Sequence, residues 1–283
     1  MLKNCLKKKI AASIRAKCLD IQTRILTSVY PARHEEIGLI YDMICGHSNF
    51  LETVLDDTDS HNEVKAALFR MILALILKDS AICKSKQIPI FLGAYHGSMS
   101  KSDQAILEIL HLHEINGCSL SEFKPLLWGQ SAVSHYSVTQ QNNTGLSSLW
   151  KMPKVSEVLA LIEPKRMIRT AVEFPLGQTT VPKAEEIIRN LNVKDAAEAE
   201  GNPSDPTLYD PKFFLPLVCA VCAHGSFVDR HLKLIESGLL SLVFASFSSR
   251  DRGMRQVGYL ALARIYEQLE RAKLTMEKQV CSG

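Results

Sequence analysis

Cys219, Cys222, His224 and His231 fall within thirteen positions, in the stretch CAVCAHGSFVDRH, and all four are of the types that bind zinc. A closed zinc site needs four such ligands converging at about 2.0–2.3 Å. Cys219 and Cys222 are one helical turn apart and can converge. His224 lies about 200° round from Cys222 on a continuing helix, and reaches inward only if the helix breaks at Gly225. His231 sits in the next element, among charged residues. The helix that would carry the thiols suggests another use for them. Asp210-Pro211 reads as an N-cap followed by proline at the first helical position, and FFLPLVCAVCA continues from there. Phe213, Leu217 and Val221 share one face; Phe214 and Val218 lie about 100° from it, and Leu215, Cys219 and Cys222 cover most of the rest. A helix apolar on nearly all sides is a buried one. There cysteine acts as a small hydrophobe. The expectation is a core helix and no bound metal.

Other candidates for chemistry are weaker. His111 and His113 in HLHE are two apart, so a helix points them to nearly opposite sides and they cannot share an ion. Metalloprotease histidines lie four apart, which these do not. His47, His96 and His135 have no partner that spacing supplies. Acidic residues lie at turns and on solvated helix faces, where nothing raises a carboxyl pKa. GxxxxGK[ST], GxGxxG and GxSxG do not occur. The residues point to binding without catalysis and to no cofactor.

The elements that must position these residues are helices. Gly and Pro are few, 14 and 11 in 283 residues, which disfavours many short strands. Ser60 with Glu63 reads as a capping box opening EVKAALFRMILALILKD, and Ser100 with Asp103 opens DQAILEILHLHE, which stops at Asn116-Gly117. Ser119 with Glu122 marks another start, soon disturbed by Pro125. NFLETVLDD (49–57) is a short partner helix, and further helices are expected at 155–162, 165–174 and, after Pro182, at AEEIIRNL. KDAAEAEGNPSDPT is polar, acidic and turn-rich, so 194–207 is expected to be a mobile loop. SGLLSLVFASF (237–247) places Leu239, Leu240, Val243, Phe244 and Phe247 at helical spacing. MRQVGYLALARIYEQLE (254–270) places Met254, Val257, Ala261 and Ile265 on one stripe. The two helices, joined by SSRDRG, form an αα-hairpin, and 49–78 reads the same way. Neither hairpin hides both apolar faces alone, so each needs stacked neighbours. The expected fold is all-α, an irregular armadillo/HEAT-like α-solenoid of stacked helical hairpins.

Composition sets further bounds. Net charge is only +3, but residues 1–24 carry seven Lys/Arg against Asp20 alone. Such an arm attracts phosphate by counterion release, or is simply a solvated helix face. No run approaches the ~18–20 apolar residues of a membrane span, and no continuous apolar stretch marks a secretory signal. The eight scattered cysteines read as reduced, intracellular thiols in a soluble protein.

From about Gln87 the wording becomes familiar. QIPIFLGAYHGSMSKSDQAILEIL, LLWGQSAVSHY, SLWKMPKVSEVLALIEPKRMIRTAVEFP, LYDPKFFLPL and SFVDRHLKLIESGLLSLVFASFSSRDRGMRQVGYLALARIYEQLE occur in that order. Together they closely resemble the C-terminal region of the nucleolar pre-ribosomal-associated protein 1 family, scaffolds of 60S ribosome biogenesis. The resemblance divides the chain into a helical HEAT-like segment with a basic N-terminus (1–85), the family's C-terminal domain (86–272) and a tail (273–283). It implies a non-catalytic role in early nucleolar assembly of the large ribosomal subunit, in the nucleus. There the family supports maturation of large-subunit rRNA from the polycistronic transcript. The implied partners are pre-60S assembly factors and pre-rRNA, with no small-molecule substrate and no membrane. No active-site residue carries over. Members are much longer than this chain. Contact residues are sought in Lys7, Lys8 and Lys9 and in Arg250, Arg252 and Arg255 of the turn SSRDRGMR. Asp and Arg in such a turn serve hydrogen bonds between neighbouring repeats or, alternatively, rRNA phosphate. Trp128 and Trp150 read as packing anchors before base stackers. Two other functions compete: a general armadillo-type protein-protein adaptor outside ribosome assembly, and a metal-dependent enzyme built on Cys219–His231.

Overall fold

The computed structural model describes residues 10–28, 34–56, 62–123, 128–129, 132, 159–181, 184–189, 205–223 and 233–281. Eleven α-helices lie among them: α1 (Ala12–Ser28), α2 (His34–Cys45), α3 (Phe50–Leu55), α4 (Asn62–Lys78), α5 (Ile88–Ala94), α6 (Lys101–Ile115), α7 (Pro164–Val172), α8 (Ala184–Arg189), α9 (Pro211–Ala223), α10 (Leu239–Ala245) and α11 (Arg252–Cys281). Short 3-10 turns punctuate them, and the β-pairing among the described residues is one isolated antiparallel bridge between Ser98 and Tyr209. The protein is all-α. Ser60, Pro125, Pro182 and the 140–145 loop lie outside the described residues, as do Trp150, His135 and residues 155–158 of the expected 155–162 helix.

The chain packs into two compact units. The first is built from residues 1–96, 100–151 and 183–197, so sequence on both sides of position 86 shares it. Its centre is α4. Every side chain from Val64 to Ile76 is buried except Arg70, which is half-buried. No single neighbour covers a cylinder on all sides, and α1 and α6 flank it, with α2, α3 and α8 adding cover. The short α3 packs more on α5 than on α4, so the expected 49–78 hairpin is a minor contact. With six residues α3 has too little surface to seal α4. Arg70 Nη2 reaches Asp20 Oδ1 at 2.8 Å and ties α4 to α1. Helix α6 starts as its sequence asks: Ser100 Oγ accepts the Asp103 N–H at 3.2 Å. It ends at Gly117, whose φ of +88° is left-handed, while Cys118 N–H donates to His113 carbonyl oxygen at 2.9 Å. Ser121–Phe123 makes a single 3-10 turn where a further helix start was expected.

The second unit holds residues 97–99, 152–182 and 198–283. Helix α9 packs against α11, and α7 against α10. Leu239, Leu242, Val243, Met254 and Ala261 are buried in this unit's core together with Phe214 and Val218. Asp210 caps α9 as its position before Pro211 predicts: its Oδ1 accepts Lys212 N–H at 2.9 Å and Gln178 Nε2 at 3.3 Å. Of the segment 194–207, residues 194–204 lie outside the described residues and 205–207 are held. Arg166 donates to the carbonyls of Pro206 (2.7 Å), Thr207 (3.0 Å) and Leu208 (3.3 Å), with its guanidinium 4.2 Å from the Tyr209 ring centroid. Met99 N–H donates to Leu208 O and Asp210 N–H to Gly97 O, pinning the same segment from its other side. The chain after residue 272, read as a tail, continues α11 through Cys281.

Two glycines separate backbone cost from crowding. Gly97 has φ +66° and a Cβ there would stand 2.7 Å from the Phe214 ring, whereas Gly117 has φ +88° and nothing within 4 Å. Gly117→Ala should therefore cost the backbone term alone, about 1 kcal/mol. Gly97→Ala adds a clash with a buried ring and should cost about 2–3 kcal/mol. Urea unfolding midpoints measure the difference; equal losses would mean Phe214 moves aside freely.

Candidate interaction site

The thiols of α9 are core residues. Cys222 is buried beside Val218 and Val221, and its carbonyl accepts Gln268 Nε2 from α11 at 2.9 Å. Cys219 is half-buried and its thiol points to the Val257 carbonyl, 3.9 Å away. Burial pushes both thiols up, Cys222 to about 11 with the neighbouring Cys219 adding to the rise; Arg264 opposes it at each. The helix is not apolar-covered all round: Pro216, Ala220 and Ala223 form an exposed strip. His224 and His231 lie outside the described residues. Among those described, no group of three or more His, Cys, Asp or Glu is placed to hold a metal ion. Cys18, Cys45, Cys83, Cys118, Cys219 and Cys222 are free thiols.

The paired histidines of α6 diverge as their spacing requires. His113 is fully buried, with Nδ1 2.8 Å from the Ile109 carbonyl and its ring edge-on to Phe91 at 5.6 Å. Burial lowers its pKa, so it serves as a neutral core ring. His111 is half-buried elsewhere on the helix. Trp128 is buried.

The turn between α10 and α11 gathers more. Asp251 is the N-cap of α11: its Oδ2 accepts Met254 N–H at 2.8 Å, and also Thr180 N–H at 3.1 Å and Thr180 hydroxyl at 2.9 Å. Burial raises its pKa, but the three donated hydrogen bonds and nearby Arg255 outweigh that and hold the carboxyl below its ordinary value. Arg250 N–H donates to Leu176 carbonyl oxygen at 2.9 Å, a second tie to the 174–181 segment. Arg255 folds back on the turn, Nη1 donating to the carbonyls of Ser249 (2.6 Å) and Arg250 (3.0 Å). The side chains of Arg250 and Arg252 are exposed and without a hydrogen-bond or ion-pair partner among the described residues. The acid and one arginine thus build the turn, and the other two arginines face solvent.

Sequence reasoning singled out these arginines but missed the rings beside them. Phe244 and Phe247 fall at helical spacing with Leu239, Leu240 and Val243, yet Phe244 is 52% exposed. Helix α10 ends at Ala245, and the tighter 3-10 turn at Ser246–Ser248 swings Phe247 round onto Tyr259 of α11. The two rings stack at 4.6 Å with 12° between planes, and Phe244 meets Phe247 edge-on at 6.0 Å. The basic N-terminal cluster is dispersed: Arg15 is buried, Lys17 and Arg24 are exposed, and Lys7, Lys8 and Lys9 lie outside the described residues.

No helix among the described residues is long and apolar enough to cross a membrane.

Two measurements test this geometry. Raised thiol pKa values mean that below about pH 9 folded and unfolded thiols are alike neutral. Above it the unfolded thiols ionise while Cys222 and Cys83 (each about 11) and Cys45 (about 12) do not. Stability should fall as pH rises from 9 to 12, and Cys222→Ser should flatten that slope in pH-dependent thermal melts. Asp251→Ala removes a cap and the Thr180 tie together. It should cost about 2 kcal/mol and lower Tm by several degrees, with Asp251→Asn costing less.

Comparison with curated proteins gives two relatives. A human protein is 33% identical over 248 residues, covering 87% of this chain and 10% of its own length. A mouse protein is 32% identical over 248 residues, again 87% of this chain and 11% of its own length. The chain therefore spans about a tenth of the relatives it matches. Both carry the name nucleolar pre-ribosomal-associated protein 1. No protein-family model and no solved structure matches.

Proposed function

We propose, from its homology to a segment of nucleolar pre-ribosomal-associated protein 1, that this chain is a non-catalytic scaffold segment in ribosome biogenesis. It resides in the nucleolus, the compartment the relatives' name states. It acts in early assembly of the large (60S) subunit, docking pre-rRNA and assembly factors so that large-subunit rRNA is matured from its polycistronic transcript. Its helices form part of an armadillo/HEAT-like array, and the matched span is the C-terminal region of the longer relatives.

The observation that carries the reading is identity of 33% extending over 87% of the chain, too long a span for a shared local motif. The fold is compatible with docking. Helix α1 turns Ile14, Ile21 and Ile25 outward, each about half exposed, and α11 does the same with Tyr259, Tyr266 and Leu269. Apolar strips on outer faces are what neighbouring chains cover. Of the titratable groups that burial perturbs, His113 and Cys222 are core residues and Cys45 and Cys83 are half-buried beside the core; enzymes more often aim such groups into a cleft.

The test is fractionation of cells expressing the tagged chain. Nucleolar localisation and co-sedimentation with large-subunit precursors and their pre-rRNA are expected. A cytoplasmic chain whose partners survive ribonuclease would instead identify a protein-protein adaptor acting outside ribosome assembly.

A further inference from the structure

We propose that the aromatic cluster Phe244–Phe247–Tyr259, together with Arg250, Arg252 and Arg255, is a binding surface for single-stranded RNA. It rests on the pre-ribosomal reading above and names the face through which that function touches RNA.

The patch combines the two features that unpaired nucleic acid requires. One is an open aromatic surface. Tyr259 is 57% exposed although Phe247 covers one side of its ring, so the area it offers is on the side turned away from that stack. Phe247 and, edge-on to it, Phe244 brace the ring from below. A platform whose orientation is already fixed loses little freedom when a base settles on it. Stacking of this kind accepts any base, since every base has a flat face.

The other feature is positive charge beside the rings. Arg255 lies one helical turn before Tyr259 on α11 and is locked onto the 249–250 carbonyls. That contact holds the turn carrying Arg250 close to Phe247. Arg250 and Arg252 make no ion pair among the described residues, and the one carboxylate in the turn, Asp251, is hydrogen-bonded to Thr180 and Met254, so three arginines against one acid leave the turn net positive. Arginines spaced around an aromatic platform match phosphates flanking a stacked base.

A protein partner would also use exposed tyrosine and phenylalanine. Three arginines stand here against the single carboxylate of Asp251, a balance that matches a polyanion better than the mixed charge of a typical protein rim. Further along α11 the exposed set changes to Tyr266, Glu267, Leu269, Glu270 and Arg271, which lacks that bias.

The test uses the full 283-residue chain and a fluorescein-labelled single-stranded RNA 20-mer of mixed sequence, followed by anisotropy across a salt series. Variants are Tyr259→Ala, Tyr259→Phe, the double Arg250→Ala/Arg252→Ala, and Lys7/Lys8/Lys9→Ala for comparison, with circular dichroism melts confirming folding. Tyr259→Ala should weaken binding about tenfold while Tyr259→Phe, which keeps the ring, stays near the parent. The double arginine variant should lower the log–log salt slope by about 1.4, two phosphate contacts on a single strand. A duplex of the same strand should bind more weakly than the single strand. Absence of binding by the parent chain, or folded Tyr259→Ala and arginine variants that bind as the parent does, would overturn the proposal. So would loss of a protein partner in ribonuclease-treated extract with RNA affinity unchanged. If patch variants bind RNA normally but the chain still enters large-subunit precursors, the patch assignment fails alone; if the parent chain enters none, the scaffold reading fails first.

Discussion

Helix α4 has no solvated face from Val64 to Ile76, about three and a half turns, and the first unit is organised by that requirement. From Val64 to Ile76 only Arg70 keeps partial access to water. Each buried Leu, Ile, Phe or Met contributes about 1.5–3 kcal/mol when fully covered, and loses it when one side is left open. Two long helices on either side, α1 and α6, supply most of the cover, and the short α2, α3 and α8 close gaps. Arg70 reaches Asp20 at the half-open edge, and Ser100 and Gly117 fix where α6 begins and ends. Apolar cover positions the helices; hydrogen bonds set their limits.

The second unit meets the same demand with less apolar surface and more polar joinery. Helix α9 keeps Pro216, Ala220 and Ala223 in solvent, so one neighbour, α11, covers much of what it buries. The connecting segments are then fastened individually. Arg166 holds three successive carbonyls, Asp210 joins Gln178 to the start of α9, and Asp251 joins Thr180 to the start of α11. In each case a charged side chain satisfies backbone groups that no helix ladder satisfies. Cys219 and Cys222 follow from the same packing. One thiol sits against Val257 and the other among valines, where a neutral sulfur suits an apolar wall and a thiolate does not.

What could be read from the sequence was what neighbouring residues decide. Asp210 before Pro211, Ser100 three before Asp103, and Asn116-Gly117 each mark a helix end by local chemistry, and each end is found there. Helix α2 carried comparable signals that went unread: Glu35 and Glu36 in its first turn, and Ile37, Tyr41 and Ile44 at helical spacing. Partner choice was not legible. Nothing within 49–78 says that α4 will be flanked by α1 and α6, because the apolar wheel records the need for cover and not its source. Arg166 to Leu208, Thr180 to Asp251 and Gly97 to Phe214 join residues 42, 71 and 117 positions apart by number. Only the folded chain brings them together. At the candidate site the arginines were visible as a charged turn. The ring stack was not, because it depends on α10 tightening into the 3-10 turn at Ser246–Ser248, which runs straight into that turn.

Helix α11 shows why the outer faces matter for function. Met254, Gly258, Ala261 and Ile265 form the stripe it buries, and these are the residues its own unit needs. Tyr259, Leu262, Tyr266 and Leu269 form a second stripe some 100° away, spaced three and four apart, and the unit leaves it largely uncovered. Apart from the Tyr259–Phe247 stack and half-buried Leu262, stability gains little from the second stripe, and polar residues at Tyr266 and Leu269 would improve solubility. Exposed aromatic and aliphatic side chains at helical spacing are a cost in a chain that acts alone, and become an asset once another molecule covers them. A segment that corresponds to a tenth of its relatives' length carries such a stripe as it would carry half of an interface.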